Sequence, residues 1–189
     1  MPEKPKPVKL FCGLIGTPDS IERARKLLVG RFGEIDLESP DLPFTFTDYY
    51  REEMGEGLSR RWVSFLPLRE RGYLASAKHT ATKLEADLAR GGKRTVNIDP
   101  GYIDDAQVVL STSKNFSHRI YIGSGYYAEV TLINIHGAYK PNPWTYPDYQ
   151  TREAIDFFDR ARRAYLAQAR GAAEAGGAAE AGGATGAPR

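Results

Sequence analysis

Charged and titratable side chains that could do chemistry are concentrated in the middle of this sequence. Asp99 ends a short alternating segment, and Pro100-Gly101 then predicts a sharp turn that leaves its carboxylate at a strand end. Downstream, Lys114, His118 and Arg119 bring together cationic and titratable groups suited to recognising a phosphate or a carboxylate. These residues predict anion binding or acid–base chemistry. The simpler alternatives are ordinary turn chemistry for Asp99 and a structural role for His118.

Aromatic residues and further carboxylates accompany those groups along the chain. Residues 144–149 form an aromatic loop that could stack on a base or a sugar, or could simply cover the core. Residues 48–55 add carboxylates and phenols after a predicted edge strand, where a solvated turn is the simpler alternative. The candidate ligand-binding residues are Lys114, Arg119, Tyr121, Tyr127, Trp144, Tyr146 and Asp148, and the candidate catalytic residues are Asp99, His118 and Glu129.

The elements that would position these residues predict an α+β fold. Apolar runs, alternating segments and helical stripes follow one another in the order strand, helix, strand, strand, helix, strand. The predicted strands cover residues 8–15, 44–47, 62–66 and 96–99, and the predicted helices follow Thr17-Pro18 and run from Leu74 to Leu88. This order is typical of a ferredoxin-like βαββαβ sandwich. In it, the apolar strands 8–15 and 62–66 are adjacent and central, the alternating strands are edges, and both helices lie on one face.

Beyond that unit, the sequence predicts a C-terminal antiparallel β-hairpin region and a final helix. The predicted strands cover residues 107–112, 118–122 and 126–135, and the helix covers residues 151–170. A three-residue loop at residues 123–125 would bring Arg119 and Glu129 together across the hairpin. We expect residues 1–7 to be a flexible lead-in, residues 8–170 a single domain, and residues 171–189 a disordered Ala/Gly-rich tail.

Composition narrows the class of protein. The 189 residues include 26 Lys and Arg against 24 Asp and Glu, a net charge of +2, so no strongly basic nucleic-acid coat is expected, although nucleic acid stays open as a partner. A single cysteine, Cys12, excludes an intrachain disulfide and a Cys-based zinc site. Because no apolar run approaches the ~18 residues of a membrane span, we expect a cytoplasmic protein without a membrane partner. The sequence makes no prediction of the oligomeric state.

Several strings along the chain resemble one protein family. VKLFCGLIG, FTFTDYY followed by EEMG, NIDPGY, KNFSHRIYIGSGYYAEVTL and PWTYPDY occur in this order over roughly residues 8–168. Together they resemble the bacterial domain-of-unknown-function family numbered 4416, which is uncharacterised, so the resemblance implies no activity. Some members carry a GTP-binding label, but this chain contains neither the G-x-x-x-x-G-K-[ST] motif nor an N-K-x-D guanine motif.

Three hypotheses of function follow from these residues. The leading one is a small cytoplasmic protein that binds an anionic ligand, such as a nucleotide or a phosphorylated metabolite, through residues 114–119 with residues 144–149 as a cover. The alternative is a hydrolase or transferase acting at phosphorus, in which Asp99 and Glu129 hold Mg²⁺ or Mn²⁺ or act as a base. The third is a protein- or RNA-interaction module, favoured if exposed tyrosines lie beside the arginines of the last helix.

Overall fold

One antiparallel sheet forms the centre of the α+β fold. The computed structural model describes residues 5–181, with side chains as far as Gly171. The nine strands in that part of the chain are β1 (Val8–Gly16), β2 (Ile35–Glu38), β3 (Leu42–Pro43), β4 (Ser59–Arg69), β5 (Val96–Ile103), β6 (Gln107–Thr112), β7 (Ile120–Gly123), β8 (Tyr126–Ile135) and β9 (Ala138–Pro141). The helices are α1 (Pro18–Phe32), α2 (Arg51–Met54), α3 (Tyr73–Leu88) and α4 (Arg152–Ala181), with a 3-10 turn at Pro147–Gln150. The strand order is β2-β4-β1-β5-β6-β8-β7, with β3 beside β4 and β9 beside β8.

Strand β1 is buried along its whole length because its side chains alternate between two cores. Leu10, Cys12 and Leu14 pack beneath α1 and α3, whereas Phe11 lies on the opposite face and contacts Phe158 of α4 edge to face. Strand β4 pairs directly with β1. The prediction of two adjacent interior apolar strands, with both early helices on one face, is therefore confirmed. Burial also raises the pKa of the Cys12 thiol, which makes it a poor nucleophile.

Helix α1 begins at the predicted Thr17-Pro18 signal and ends at Gly33, one of the two glycines, Gly30 and Gly33, that could end it. The Thr17 side chain caps the helix by accepting a hydrogen bond from the backbone N–H of Ser20 at 3.3 Å, and Pro18 occupies the first helical position. Gly33 ends the helix at φ +105°, a conformation that favours glycine, and its N–H donates to the Val29 carbonyl.

The predicted second strand is wrong. Residues 44–47 belong to no strand, and the edge beside β4 is formed instead by β2 and β3. Two acidic residues obscure β2 in the sequence, but Asp36 and Glu38 form ion pairs with Lys9 and Arg25 in the folded protein. Their charges are therefore compatible with a position against the sheet.

The prediction that the fourth strand is an edge is also wrong, because β5 continues to Ile103 and pairs with β6. This pairing covers only the end of β5. Its first half, which carries Asn97 and Asp99, has β1 on one side and no strand on the other. The alternation that suggested an outer edge therefore marks a gap inside the sheet.

The predicted three-residue hairpin loop differs from the observed turn. Pairing continues to Gly123, which lies opposite Tyr126, and Ile122 forms a bulge in the ladder. The loop has only two residues, Ser124 at φ +55° and Gly125 at φ +79°, as a type I′ turn requires. The sequence expectation failed because it assumed strict alternation, which a bulge breaks.

The contacts across that hairpin agree with the prediction. Tyr121 lies opposite Tyr127, because the bulge absorbs the one-residue difference in loop length. Although β7 begins at Ile120, the preceding Arg119 donates from Nε to Oε2 of Glu129 at 2.8 Å. The predicted Arg119–Glu129 pair is therefore confirmed.

Replacing Ser124 by asparagine should raise the free energy of unfolding by about 0.5 kcal/mol. Asparagine tolerates positive φ better than serine, and Asn-Gly is a preferred type I′ sequence. Urea denaturation followed by circular dichroism would measure the gain. The control is Ser117→Asn, which lies in a separate turn and does not adopt positive φ, so it should leave stability unchanged. A destabilised Ser124→Asn protein would contradict the assigned turn.

The C-terminal helix is longer than predicted. Helix α4 continues to Ala181, beyond the expected end at residue 170, and its added part is rich in alanine, the strongest helix former. The structure gives residues 171–181 a helical backbone, the disorder expected for residues 171–189 stays a prediction, and the rest of the expected tail lies outside the described residues. Residues 1–4 of the expected lead-in also lie outside them. In the described part of the chain, no helix has the length and apolarity needed to cross a membrane.

Candidate functional site

A cleft opens where β5 and β6 separate. The two strands pair only from Gly101 to Ile103 of β5. The preceding residue, Pro100, has no N–H to continue the ladder, and its carbonyl accepts instead from Ser111 Oγ at 2.5 Å. Upstream of this point lies a cavity of about 830 Å³. That volume is in the range of small-molecule sites, and Asn97 and Asp99 line it from β5.

Side chains of α3 replace the missing strand at this gap. The backbone N–H of Ile98 donates to Oε1 of Glu85 at 2.6 Å, and the Ile98 carbonyl accepts from Nζ of Lys78 at 3.0 Å. Both backbone groups would otherwise be left unpaired at the open edge of β5. Helix α3 thus stabilises the opening between the strands, and Lys78 and Glu85 also line the cavity.

Three groups of side chains make up most of the cavity wall beside those of α3. An aromatic segment precedes and enters α2, a hydroxyl-rich segment ends β6, and a charged floor comes from β4, β5 and the 3-10 turn. The aromatic residues are Phe44, Phe46, Tyr49 and Tyr50; the residues at and just after the end of β6 are Ser111, Thr112, Ser113 and Lys114; the floor residues include Arg60, Asp99, Asp148 and Tyr149. The cavity therefore combines flat apolar surfaces with both signs of charge.

The floor contains a buried ion pair between Arg60 and Asp148. Nε of Arg60 donates to Oδ2 of Asp148 at 2.7 Å, and Nη2 contacts the same oxygen. The guanidinium also lies over the rings of Phe44, Trp62 and Tyr149. Burial alone would lower the pKa of Arg60, but the negative groups around it, Asp148 first among them, together outweigh the burial and raise the pKa. Rings and carboxylate together hold the guanidinium in one position.

A second ion pair joins Lys78 to Asp99 at 3.0 Å. Burial would raise the pKa of Asp99, but the charges of Lys78 and Arg60 outweigh it, and the pKa is lowered overall. For Lys78, burial opposes the charge, yet the carboxylates of Asp99 and Glu85 raise its pKa. Both partners are therefore charged at neutral pH. Asn97 donates to the other carboxylate oxygen of Asp99 at 2.6 Å, which fixes the orientation of the carboxylate.

Arg94 connects this floor to the aromatic segment. It donates to both carboxylate oxygens of Glu53 in α2, at 2.8 and 2.6 Å, and to Oδ1 of Asn97 at 3.0 Å. Helix α2 buries no side chain, so this forked contact is a main attachment of the segment to the sheet. The guanidinium lies 5.9 Å from the Tyr50 ring centroid.

Lys114 differs from the other cations of the cavity. Arg60, Lys78 and Arg94 each form an ion pair with a carboxylate, whereas Lys114 forms none within residues 5–171. Its ammonium lies over the ring of Tyr49, 4.3 Å from the centroid. Lys114 can therefore bind an anion without first breaking an ion pair with a carboxylate.

The structure brings four of the predicted site residues together in the cavity and leaves six outside its lining. Asp99, Lys114, Tyr146 and Asp148 line it. His118, Arg119, Tyr121, Tyr127, Glu129 and Trp144 lie outside.

Some of the six predicted residues outside the cavity lining position residues that line it. Glu129 is buried and accepts from Nε2 of His118 at 3.0 Å and from Nε of Arg119 at 2.8 Å. Arg119 then donates to the Lys114 carbonyl at 2.9 Å and to the Tyr146 hydroxyl at 2.8 Å. This chain of contacts fixes two residues of the cavity wall.

The remaining predicted residues pack on one another. The Trp144 indole stacks on the His118 ring at 5.2 Å, and its Nε1 donates to the Val130 carbonyl. Tyr121 and Tyr127 contact each other across the hairpin, with ring centroids 5.5 Å apart.

Sequence reasoning missed four charged residues of the cavity. Arg60 precedes the apolar strand segment, Arg94 precedes β5, and Lys78 and Glu85 lie on one face of α3. The only signal was in α3, where two charges seven residues apart lie beside the apolar stripe. Arg60 pairs with Asp148, which is 88 residues away in the sequence, so this pairing could not be inferred from sequence spacing.

Comparison with known proteins identifies a family but no activity. A family model described as "Domain of unknown function (DUF4416)" matches residues 6–165. No curated protein and no solved structure matches the chain. Among the described residues, no group of three or more His, Cys, Asp or Glu side chains is arranged to hold a metal ion.

Proposed function

We propose that the protein binds a small anionic ligand in the cavity between β5 and β6. The chain belongs to the DUF4416 family. The domain of this family is of unknown function, so the proposal is argued from the cavity itself. Nucleotides and phosphorylated metabolites are the ligand class. The observation that carries the proposal is Lys114, a cavity cation without a carboxylate partner among the described residues, beside a run of hydroxyl side chains. Lysine and hydroxyl groups are a common combination for phosphate oxygens.

The opposite wall supports the same class of ligand. Phe44, Phe46 and Tyr50 offer flat surfaces on which a base or sugar could stack. Asp99 is an ionised carboxylate with lone pairs left over after its two hydrogen bonds, and these suit ligand hydroxyl or amino groups. A ligand with an anionic end and a flat polar end would use both walls.

The enzyme hypothesis gains less support from the geometry. It pairs Asp99 with Glu129 around a divalent ion, but only Asp99 lines the cavity. Glu129 already accepts hydrogen bonds from His118 and Arg119. In our proposal His118 and Arg119 act through the wall residues Lys114 and Tyr146 instead of touching the ligand.

The proposal also covers the fold type and the cellular location. The order β2-β4-β1-β5, with α1 and α3 on the same face, supports a ferredoxin-like unit to which β6–β9 and α4 are added. The single buried thiol of Cys12 is compatible with a cytoplasmic location, since the fold uses no disulfide in the described part of the chain.

The Lys114→Ala variant tests the proposal. ATP, AMP, ribose 5-phosphate and inorganic phosphate are screened by thermal shift with and without Mg²⁺, and the compound with the largest shift is titrated by calorimetry. We expect a shift with at least one organic phosphate, and affinity roughly tenfold weaker for Lys114→Ala, since a hydrogen bond to a charged group contributes about 1.5–3 kcal/mol.

The matched control is Lys140→Ala, an exposed lysine on β9 outside the cavity, which should bind like the natural protein. Equal affinities for Lys114→Ala and Lys140→Ala would contradict the proposed role of Lys114. A shift that appears only with Mg²⁺ would favour the metal-dependent enzyme. Binding of RNA in place of all four compounds would favour the interaction module.

A further inference from the structure

Residues 44–58 form a surface loop whose two ends are fixed side by side. Pro43 of β3 pairs with Ser59 of β4, and the backbone N–H of Phe44 then donates to the Leu58 carbonyl at 2.9 Å. Between these ends the chain leaves the sheet, and α2 within it buries no side chain. A loop of this length with closed ends is an Ω-loop, a type that is frequently functional. Because the sheet holds this loop at its ends, the loop can move as one piece about them.

The inner side of this loop forms one wall of the cavity. Its rings contact one another, with the Tyr50 centroid 5.9 Å from that of Phe44 and 5.0 Å from that of Tyr49. Tyr50 also lies near the floor, since the charges of Asp99 and Arg60 act on the pKa of its hydroxyl, which burial raises. The loop therefore covers the charged floor, and its movement would uncover the floor.

The loop is not packed solidly. A second cavity, of about 350 Å³, has a lining made of residues of the loop itself. Near the Leu58 end, Gly55 and Gly57 have φ values of +86° and +69°, and a Cβ atom on either would meet no described atom within 4 Å beyond its chain neighbours. Packing therefore does not oppose a change of backbone conformation at these two glycines.

Arg94 attaches the middle of the loop to the sheet. Its backbone N–H donates to Glu53 at 3.2 Å, in addition to the two bonds from its guanidinium. The neighbouring Lys93 donates from Nζ to the Glu52 carbonyl at 3.2 Å. Within residues 5–171, the hydrogen bonds that join the middle of the loop to the rest of the protein all come from these two cations. One ion pair, 28% and 32% exposed, therefore contributes most of this attachment.

We propose that residues 44–58 are a lid on the cavity and that Arg94 is the residue that positions it in the closed state. This rests on the proposed function and adds its control, because a lid determines how fast a ligand enters and leaves the cavity. The Lys114 ammonium lies over the Tyr49 ring of the lid. An anion bound to Lys114 would therefore lie against the closed lid.

The reactivity of a thiol inside the cavity tests the lid without any ligand. Ile15 lines the cavity between Arg60 and Asn97 of the neighbouring strands and is 2% exposed, so Ile15→Cys places a thiol beneath the lid. Adding Arg94→Gln should raise its rate of reaction with the thiol reagent DTNB about fivefold, because loss of the ion pair increases the open population. The natural Cys12, which is 0% exposed, should stay unmodified, since it becomes accessible only on global unfolding.

The matched control is Arg25→Gln in the same Ile15→Cys protein. Arg25 also donates from Nε and Nη2 to one glutamate, Glu38, and the side chains of this pair are similarly exposed, at 31% and 28%. Neither residue lines the cavity. Equal rates in the Arg94→Gln and Arg25→Gln proteins, or modification of both thiols together, would overturn the inference.

Ligand binding is measured separately from lid opening. An organic phosphate that binds through Lys114 should slow the reaction of the Ile15→Cys thiol, because it occupies the cavity beneath the closed lid. If no phosphate binds and Arg94→Gln still accelerates the reaction, the lid stands and the proposed function is wrong. If a phosphate binds through Lys114 and Arg94→Gln leaves the rate unchanged, the proposed function stands and the lid is overturned.

Discussion

The Asp148→Asn variant should lose about 3–5 kcal/mol of its free energy of unfolding, because it leaves the Arg60 guanidinium charged and without its carboxylate in a buried site. Asparagine nearly preserves the volume of the side chain, so packing changes little. The side chains of Arg60 and Asp148 are 5% and 6% exposed, so water cannot replace the lost partner. Urea denaturation monitored by tryptophan fluorescence measures the loss, with the buried Trp62 as reporter.

The matched control is Asp48→Asn, which removes one partner of an exposed pair. Asp48 and Arg51 lie 3.6 Å apart, with side chains 86% and 60% exposed. Such pairs contribute little, so a change below about 0.5 kcal/mol is expected. Similar losses in Asp148→Asn and Asp48→Asn would show that the floor of the cavity is accessible to water, contrary to the structure.

The Lys78→Met variant should also lose stability, about 1–3 kcal/mol at neutral pH, because Asp99, whose side chain is 22% exposed at the cavity, is then a carboxylate without its ammonium partner. The loss depends on pH. In the natural protein the pKa of Asp99 is lowered, so its stabilising effect is complete above the unfolded-state pKa of about 3.9 and is lost only as the pH falls through the lower folded-state pKa.

In the variant the burial remains, the charge of Lys78 is gone and only that of Arg60 still opposes the burial, so the pKa of Asp99 rises. Asp99 then takes up a proton during mild acidification, and the stability gap from the natural protein narrows between pH 7 and pH 4. Denaturation curves at both pH values test this. A double variant, Lys78→Met with Asp99→Asn, should recover part of the loss at pH 7, because it removes the unpaired charge. A gap independent of pH would place the loss in packing and in the unpaired Ile98 carbonyl, and not in Asp99.

The elements with a strong local pattern were predictable from sequence. Strand β1, helix α1 from Thr17 to Gly33, helix α3, and strands β6 and β8 follow from apolar periodicity and capping residues. Strand β2 was not predictable, because its acidic residues find their cations only through tertiary pairing with Lys9 and Arg25. The bulge at Ile122 likewise leaves no signal in an alternating segment.

The candidate site was also predicted only in part, because local patterns reveal some of its residues and not the others. Asp99, Lys114, Tyr146 and Asp148 stand at strand ends or in loops, where sequence reasoning looks for chemistry. Arg60 lies in an interior strand, and its significance comes from distant residues that meet only in the fold. Local patterns can therefore locate residues at strand ends and in loops, including Asp99 and Asp148 of the floor, but not Arg60 and Lys78, the buried cations that pair with them.

Strand β1 has a consequence for how the molecule unfolds. Its even-numbered side chains belong to the core under α1 and α3, and its odd-numbered Phe11 belongs to the core under α4. Removing either set of helices would expose apolar surface on a strand that the other core still needs. The two cores are therefore thermodynamically coupled, and we expect the part of the chain that contains both to unfold as one cooperative unit.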